Sequence, residues 1–389
     1  MGAYLDHAAT TPMSPGAIEA MVEELGRSGN ASSLHAAGRR ARKVVEDARE
    51  VLAQAAGARP NDVIFTSGGT EADNLAVKGI FWARRKADPR RVRILASSVE
   101  HHAVLDPVEW LASNDGAEVS WIPVDAKGRI EIAALRQEIL RDPDSISLIT
   151  VMAANNEVGT VQPIAEVVAL ADEFGIPVHS DAVQLFGKMP FDFDASGLAA
   201  ATISAHKIGG PIGVGALLVK RGLDIIPVLH GGGQERDIRS GTLDTPAIAS
   251  FAAAARDSIK QMADEDLRLR SLRDDLVAKI TELIPDARMN GDDDPLGRLP
   301  GNAHFTFPGA EGNALLLLLD AQGVQCSTGS ACSAGVPRPS HVLVAMGMSE
   351  SQARSSLRFS LGRTSSQADV DAVAQAIVPV IERARLAAR

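Results

Sequence analysis

Residues 178–207, VHSDAVQLFGKMPFDFDASGLAAATISAHK, decide the fold of this chain. The stretch and the proline before it hold two short apolar or β-branched runs, Pro177–His179 and Ala201–Ser204, which are typical of buried strands. Polar residues follow each run directly, with Asp181 after the first and Lys207 after the second. Because ligands of parallel sheets collect beyond the carboxyl ends of the strands, we expect Asp181 and Lys207 to face one pocket.

Similar runs on both sides of this stretch predict further strands of the same sheet. They are Val63–Phe65, Val92–Leu95, Val119–Pro123, Ile146–Met152 and Gly215–Val219. Helical stretches such as Glu71–Arg85 and Ile164–Phe174 separate most of them. Repeated strand–helix–strand units predict an α/β fold with a large, mainly parallel, seven-stranded sheet that is covered by helices on both faces.

The rest of the chain predicts a second, smaller domain. Long charge-rich helices are expected from Ile248 to Leu283, with an interruption, and two strands follow at His304–Phe307 and Ser356–Ser360. A terminal helix begins near Gln367. We therefore expect a large domain over residues 14–250 and a small α+β domain built from residues 1–13 and 251–389, which carries Cys332.

Composition excludes several classes of protein. The 39 basic and 49 acidic side chains give a net charge of −10, which argues against nucleic acid or an anionic membrane as the main partner. The longest apolar run, Ala314–Leu319, is far shorter than the roughly 18 residues of a membrane span, and no signal peptide is visible. We expect a cytoplasmic protein. With two cysteines, it is neither a disulfide scaffold nor a multi-cysteine zinc module.

The pair Asp181 and Lys207 suits pyridoxal phosphate. A carboxylate keeps the pyridine nitrogen of this cofactor protonated, and a lysine amine holds its aldehyde. The turn Thr66–Glu71 lies between a strand and a helix, where glycines and helical N–H groups suit a phosphate. His230–Thr242 is a second glycine-rich, cationic stretch of this kind. Taken alone, each feature also fits a capped turn, a helix cap or a surface lysine.

Other polar residues at predicted strand ends are candidates for the same pocket. His101 and His102 follow a strand on what we take as an extended segment, where adjacent side chains point opposite ways; one of them could stack on a flat ring, and no metal site is expected. Asn156 could bond ring or substrate oxygens. Arg358 alternates with apolar residues and is a candidate clamp for a carboxylate, or else part of a structural ion pair.

The two cysteines differ in their surroundings. Cys332 lies in Ser327–Gly335, a run of small residues that packs a core poorly, which favours an accessible thiol. Cys326 follows Val324 and fits a buried, inert thiol.

Together these residues resemble the cysteine desulfurases that serve iron–sulfur cluster and thiolation pathways. The matching motifs span nearly the whole chain in order: Tyr4-Leu5-Asp6, Ala9-Thr10-Thr11-Pro12, Ser67-Gly68-Gly69-Thr70-Glu71, Glu100-His101, Asn155-Asn156-Glu157, Ser204-Ala205-His206-Lys207, Arg239-Ser240-Gly241-Thr242, Gly329-Ser330-Ala331-Cys332 and Arg358-Phe359-Ser360-Leu361-Gly362-Arg363. The resemblance implies a fold-type-I pyridoxal-phosphate transferase that acts on L-cysteine as a homodimer.

The resemblance also implies roles for individual residues. Lys207 would carry the cofactor and remove the Cα proton, and the Cys332 thiolate would take the substrate sulfur as a persulfide, leaving alanine. The remaining implied roles are His101 stacked on the ring; Asp181 at the pyridine nitrogen; Gln184 and Asn156 at ring or substrate oxygens; Gly69, Thr70, Ser204 and His206 at the phosphate, with Thr242 from the other subunit; and Arg358 at the substrate carboxylate.

Several alternatives stay open at this point. A selenocysteine lyase or another fold-type-I enzyme such as an aminotransferase would share the lysine, although an aminotransferase needs no mobile thiol. A non-catalytic sulfur carrier could keep the fold. The sulfur acceptor could be an iron–sulfur scaffold or a tRNA-thiolation enzyme.

Overall fold

The computed structural model describes residues 2–329 and 339–387. Within these ranges the strands are β1 (Ala3–Tyr4), β2 (Val63–Thr66), β3 (Arg93–Ser97), β4 (Glu118–Ile122), β5 (Ile146–Thr150), β6 (Val178–Asp181), β7 (Ala200–Ser204), β8 (Gly215–Val219), β9 (Arg288–Met289), β10 (Asn302–Thr306), β11 (Val324–Gln325) and β12 (Ser356–Ser360). The helices are α1 (Pro15–Leu25), α2 (Ala36–Ala55), α3 (Gly69–Ala87), α4 (His102–Asp115), α5 (Ile132–Arg141), α6 (Ile164–Asp172), α7 (Phe193–Ser196), α8 (Thr245–Leu283), α9 (Gly312–Asp320), α10 (His341–Ala345), α11 (Glu350–Arg354) and α12 (Gln367–Ala387).

All seven strands predicted for the large sheet are present, and they form one sheet in the order β2-β8-β7-β6-β5-β3-β4. The pairings from β7 to β4 are parallel, whereas β8 runs antiparallel to both of its neighbours, β7 and β2. The predicted α/β fold with a mainly parallel seven-stranded sheet is therefore confirmed. Buried strands of this kind consist of apolar and small residues, as Ala200–Ser204 and Gly215–Val219 do.

The direction of the strands brings the functional loops together. Because β2 and β7 are both antiparallel to β8, β2 runs in the same direction as β3, β5, β6 and β7. The carboxyl ends of these five strands therefore lie at one edge of the sheet. The segments that leave this edge begin after Thr66, Ser97, Thr150, Asp181 and Ser204.

The predicted interruption between Ile248 and Leu283 is wrong. The chain forms a single helix there, α8, of 39 residues. Its only proline is Pro246 in the first turn, where a missing N–H costs nothing, and no glycine follows. Ion pairs such as Arg270–Asp266, with 2.8 Å between Nε and Oδ2, support its charged second half.

Two hydrophobic cores lie at the two ends of α8. Phe251 and Ala255 pack into the core that includes one face of the large sheet, and Leu276 and Ile280 pack into a second core. The second core is formed around the antiparallel sheet β12-β10-β9 and the parallel pair β1-β11. The division of the chain into domains at residues 13 and 250 stays a prediction.

The N-terminal segment joins the second core to the edge of the large sheet. Asp6 pairs with Ser360 of β12, and Thr11 N donates to the carbonyl of His206 (3.0 Å) after β7. No helix in the described part of the chain has the length and apolar character needed to cross a membrane.

Candidate active site

A cavity of about 330 Å³ opens at the edge where the five strands end. It contains ten of the residues predicted from the sequence: Gly69, Thr70, His101, Asn156, Asp181, Gln184, Ser204, His206, Lys207 and Arg358. Two predicted residues are not among those that line it. Thr242 is exposed elsewhere on the surface, and Cys332 lies outside the described residues.

Lys207 ends a short 3₁₀ turn that follows β7. Its Nζ donates to the carbonyl oxygens of Ala8 (2.7 Å) and Ala9 (2.8 Å) in the N-terminal segment. Burial lowers the pKa of Lys207 to about 8, and the charge of Arg358 acts in the same direction, while Asp181 opposes both. A larger fraction of this amine is therefore neutral near pH 7 than of an ordinary lysine, which makes it a better nucleophile and base.

Asp181 ends β6 and is buried. Its Oδ1 accepts a hydrogen bond from the backbone N–H of Val183 (2.9 Å). Burial raises the pKa of Asp181 to about 6, although this hydrogen bond and the charge of Lys207 lower it. A cation placed against this carboxylate would favour its ionised form further. The side chain suits a protonated pyridine nitrogen.

Asp73 is a second buried carboxyl group in the cavity, and it was not predicted. Its Oδ1 has no hydrogen-bond partner and lies 3.6 Å from Nε2 of His179. Burial and the charge of Asp181 raise the pKa of Asp73 well above its ordinary value, which favours its neutral form. Burial also lowers the pKa of His179 to about 3, so this neighbour is neutral near pH 7.

A phosphate cradle lies beside these carboxyl groups. The first turn of α3 leaves its N–H groups without helical partners and begins after Gly68, whose φ of 149° favours glycine. The hydroxyl of Ser204 is buried and has no hydrogen-bond partner. His206 lies next to it, with Nδ1 3.3 Å from the hydroxyl of Thr10. The free helical N–H groups and the Ser204 hydroxyl fit the phosphate of the predicted cofactor.

The second glycine-rich stretch lies near this helix end but outside the cavity. Nε of Arg239 pairs with Oε1 of Glu71 (2.7 Å) in the first turn of α3. Gly241 N donates to Oε1 of Gln234 (2.8 Å), which fixes the loop before Thr242. In its own chain Arg239 is therefore engaged by a carboxylate and does not line the cavity.

His101 presents a neutral ring to the cavity. We predicted an extended segment here, and this holds for only one of the two residues. The backbone of His101, the N-cap of α4, is extended, whereas His102 is the first residue of the helix. Nδ1 of His101 accepts from the N–H of Ala103 (3.0 Å), which leaves the proton on Nε2. Burial, and next the charge of Lys207, lower the pKa of His101 to about 4. His102 is instead half-buried and pairs with Asp106.

The sequence pattern of Arg358 allowed either a clamp for a carboxylate or a structural ion pair, and the structure is compatible with both. Its Nη2 forms an ion pair with Oδ1 of Asp6 (2.7 Å), and its Nη1 donates to the carbonyl of Asn156 (2.8 Å). Nε is buried without a partner. The guanidinium is thus held from two sides while it lines the cavity, an arrangement suited to an incoming carboxylate.

The segment that leads to Cys332 starts at the cavity. Ser327 exchanges two backbone hydrogen bonds with Arg358 of β12, at 3.1 and 2.6 Å. Ser327 and Gly329 both line the cavity. Cys326, just before them, is buried, and burial raises the pKa of its thiol to about 12. In the described residues there is no group of three or more side chains suited to a metal ion.

Comparisons with known proteins agree with this geometry. A sequence model of the class-V aminotransferase family matches residues 3–373. An IscS-like cysteine desulfurase of Mycobacterium tuberculosis is 58% identical over 99% of this chain and 98% of its own. A solved NifS-like protein superimposes with a TM-score of 0.90 at 33% identity, covering 98% of this chain and 100% of its own. A solved structure of SspA in complex with cysteine has a TM-score of 0.78 at 33% identity, covering 92% of this chain and 98% of its own.

The chain therefore belongs to the class-V aminotransferase family and, within it, to the cysteine desulfurases. Enzymes of this family use pyridoxal phosphate as their cofactor.

Proposed function

We propose that this chain is a cysteine desulfurase that removes sulfur from L-cysteine, gives L-alanine and carries the sulfur as a persulfide on Cys332. One observation carries the proposal. Lys207, Asp181 and Arg358 meet in a cavity that is also lined by Gly329, three residues before Cys332. A transaminase would need the lysine and the aspartate, but it would have no use for a thiol beside the pocket.

The residues that would hold pyridoxal phosphate follow from their surroundings. Lys207 is the point of covalent attachment, and the carboxylate of Asp181 would keep the proton on the pyridine nitrogen. The neutral ring of His101 would cover one face of the cofactor. Gln184 and Asn156 would contact ring or substrate oxygens. The phosphate would be held by the group Gly69, Thr70, Ser204 and His206, with Thr242 of a second subunit.

The chemistry depends on where protons are held. When bound, the cofactor supplies an electron sink for the charge left at Cα after a proton is removed. Lys207 would take that proton, and its lowered pKa makes it an effective base near neutral pH. Asp181 maintains the sink by holding the proton at the pyridine nitrogen. Arg358 would orient the substrate by its carboxylate, with Asp6 and Asn156 fixing the guanidinium.

Sulfur transfer then needs no external oxidant or reductant. The Cys332 thiolate attacks the sulfur of the bound substrate, so that an S–S bond forms as the Cβ–S bond breaks. The electron pair of the broken bond stays on the substrate carbon, and a proton added there completes L-alanine. L-cysteine and one thiol thus become L-alanine and one persulfide.

A homodimer and a protein acceptor complete the proposal. Thr242 is exposed and does not line the cavity of its own chain, which is consistent with a role in the cavity of a second copy. The persulfide would pass to an iron–sulfur scaffold or to a tRNA-thiolation enzyme. We place these steps in the cytoplasm.

The proposal predicts a specific product. Purified protein loaded with pyridoxal phosphate should convert L-cysteine to L-alanine in the presence of a thiol that discharges the persulfide. The measurement is chromatographic detection of alanine, with L-serine as the control because it has the same carbon skeleton and no sulfur. Failure to form alanine from L-cysteine would contradict the assignment.

Cofactor attachment should depend on pH through Lys207. Only the neutral amine reacts with an aldehyde, so the attachment rate should rise about tenfold per pH unit below the pKa and level off above it. The midpoint is expected at about 8, well below the value of 10.5 for an ordinary lysine. Stopped-flow recording of visible absorption on mixing apoprotein with cofactor measures it.

The same experiment has an internal check. Arg358→Gln removes a neighbouring positive charge that lowers the pKa of Lys207, so the midpoint should move to higher pH. A midpoint near 10.5 in the unaltered protein, or no shift in the variant, would contradict this electrostatic explanation.

A further inference from the structure

A chain of hydrogen bonds links Lys188 to the cavity. Nζ of Lys188 donates to Oε1 of Gln184 (2.8 Å), and Nε2 of Gln184 donates to the carbonyl of Ala8 (2.8 Å). The same carbonyl accepts from Nζ of Lys207 (2.7 Å). Gln184 is only 4% exposed and lines the cavity, whereas Lys188 does not line it.

These partners determine the orientation of the Gln184 amide. A lysine ammonium can only donate and a backbone carbonyl can only accept, so Oε1 must face Lys188 and Nε2 must face Ala8. An amide nitrogen carries two hydrogens, and the bond to Ala8 uses one. The second N–H remains available to an acceptor oxygen in the cavity.

Lys188 approaches Gln184 from a separate cavity. That second cavity has a volume of about 400 Å³ and lies against His7, Lys188, Lys207, Asp257, Glu265 and Arg363. Burial lowers the pKa of Lys188 to about 7, and the charges of Lys207 and Arg358 add to the effect. The amine can donate to Oε1 in either protonation state, so this bond does not depend on the charge.

We propose that Lys188 is a positioning residue that fixes the amide of Gln184 with its second N–H toward the ring oxygen of the cofactor. Lys188 acts through Gln184 and makes no contact with the cofactor itself. Without it, the buried Oε1 loses its partner and the amide is free to leave the donating orientation. The inference rests on the proposed function, because it assigns Gln184 to the cofactor.

The test is a double-mutant cycle read out as the dissociation constant of pyridoxal phosphate, with the visible absorption maximum as a second signal. Lys188→Met keeps an unbranched side chain that is one atom shorter and removes the donor. It should weaken cofactor binding about tenfold, on the scale of one lost buried hydrogen bond. In a Gln184→Leu background the same substitution should change binding less than about twofold, since its target is gone.

Two further variants separate positioning from folding. Lys188→Arg retains a donor, and the adjacent cavity has room for the larger head group, so most of the affinity should return. Lys220→Met, at an exposed lysine outside both cavities, is the matched control and should bind the cofactor normally.

Each outcome decides the inference. Equal weakening by Lys188→Met in both backgrounds would overturn it, as would an Arg variant as weak as the Met variant. If Gln184→Leu itself leaves cofactor affinity unchanged, the role of Gln184 fails and the inference fails with it. The desulfurase assignment would still stand in that case, provided that the variant converts L-cysteine to alanine.

Discussion

Lys207→Ala is expected to abolish the visible absorption of the cofactor–lysine linkage and to lower alanine formation by roughly 10⁴-fold. The substitution removes both the point of attachment and the base for the Cα proton. The surrounding residues remain, so the variant should still bind pyridoxal phosphate reversibly. Absorption spectra before and after dialysis, combined with alanine measurement, test both effects.

The matched control for this substitution is the exposed Lys220→Met variant, which should keep the absorption and the activity. An unchanged visible spectrum in the Lys207→Ala protein would remove Lys207 from its role. If the Lys207→Ala protein kept the visible absorption but lost alanine formation, the account would also be contradicted. Lys207 could then still be the base, but it would not be the residue to which the cofactor is attached.

Cys332→Ala is expected to leave the bound cofactor intact and to lower alanine formation from L-cysteine by roughly 10³-fold or more, as loss of a nucleophile commonly does. The sulfur would have no acceptor thiol, so the Cβ–S bond would not break. The cofactor should stay bound because the residues proposed to hold it, from Gly69 to Lys207, lie far from Cys332 in the sequence. Sulfide release and alanine formation are measured on the same samples.

Cys326→Ala is the natural control for this variant. Its thiol is buried and its pKa is raised to about 12, so it supplies no thiolate near neutral pH. The Cys326 variant should therefore retain activity. Full activity in the Cys332 variant, or its loss in the Cys326 variant, would contradict the assignment of the sulfur carrier.

The sequence predicted the parts of the site that depend on local pattern. Short apolar runs marked the strands, and the polar residues after them, such as Asp181 and Lys207, had to share an edge because the strands are parallel. The position of His101 was predicted for the same reason. Its role as a helix cap was missed, because a histidine is not a usual capping residue.

The residues that the sequence did not predict act through contacts between distant parts of the chain. Asp6 lies 352 positions from Arg358, and only the pairing of the N-terminal segment with β12 brings them together. In the sequence Asp73 is only an acidic residue in a predicted helix. Its burial in the cavity follows from the packing of α3 against the sheet. The proposed role of Lys188 likewise depends on its contact with Gln184. The unbroken α8 spans two cores, whereas composition alone suggested a boundary within it.

The most direct measurement follows the sulfur atom. The protein loaded with pyridoxal phosphate is mixed with a limited amount of L-cysteine without reductant, and its peptides are analysed by mass spectrometry while released alanine is counted. The expected result is a gain of one sulfur atom on the peptide that contains Cys332, not on that of Cys326 when the two are cleaved apart, with one alanine for each sulfur gained. Alanine formed without sulfur on Cys332, or no alanine at all, would contradict a cysteine desulfurase that works through Lys207 and Cys332.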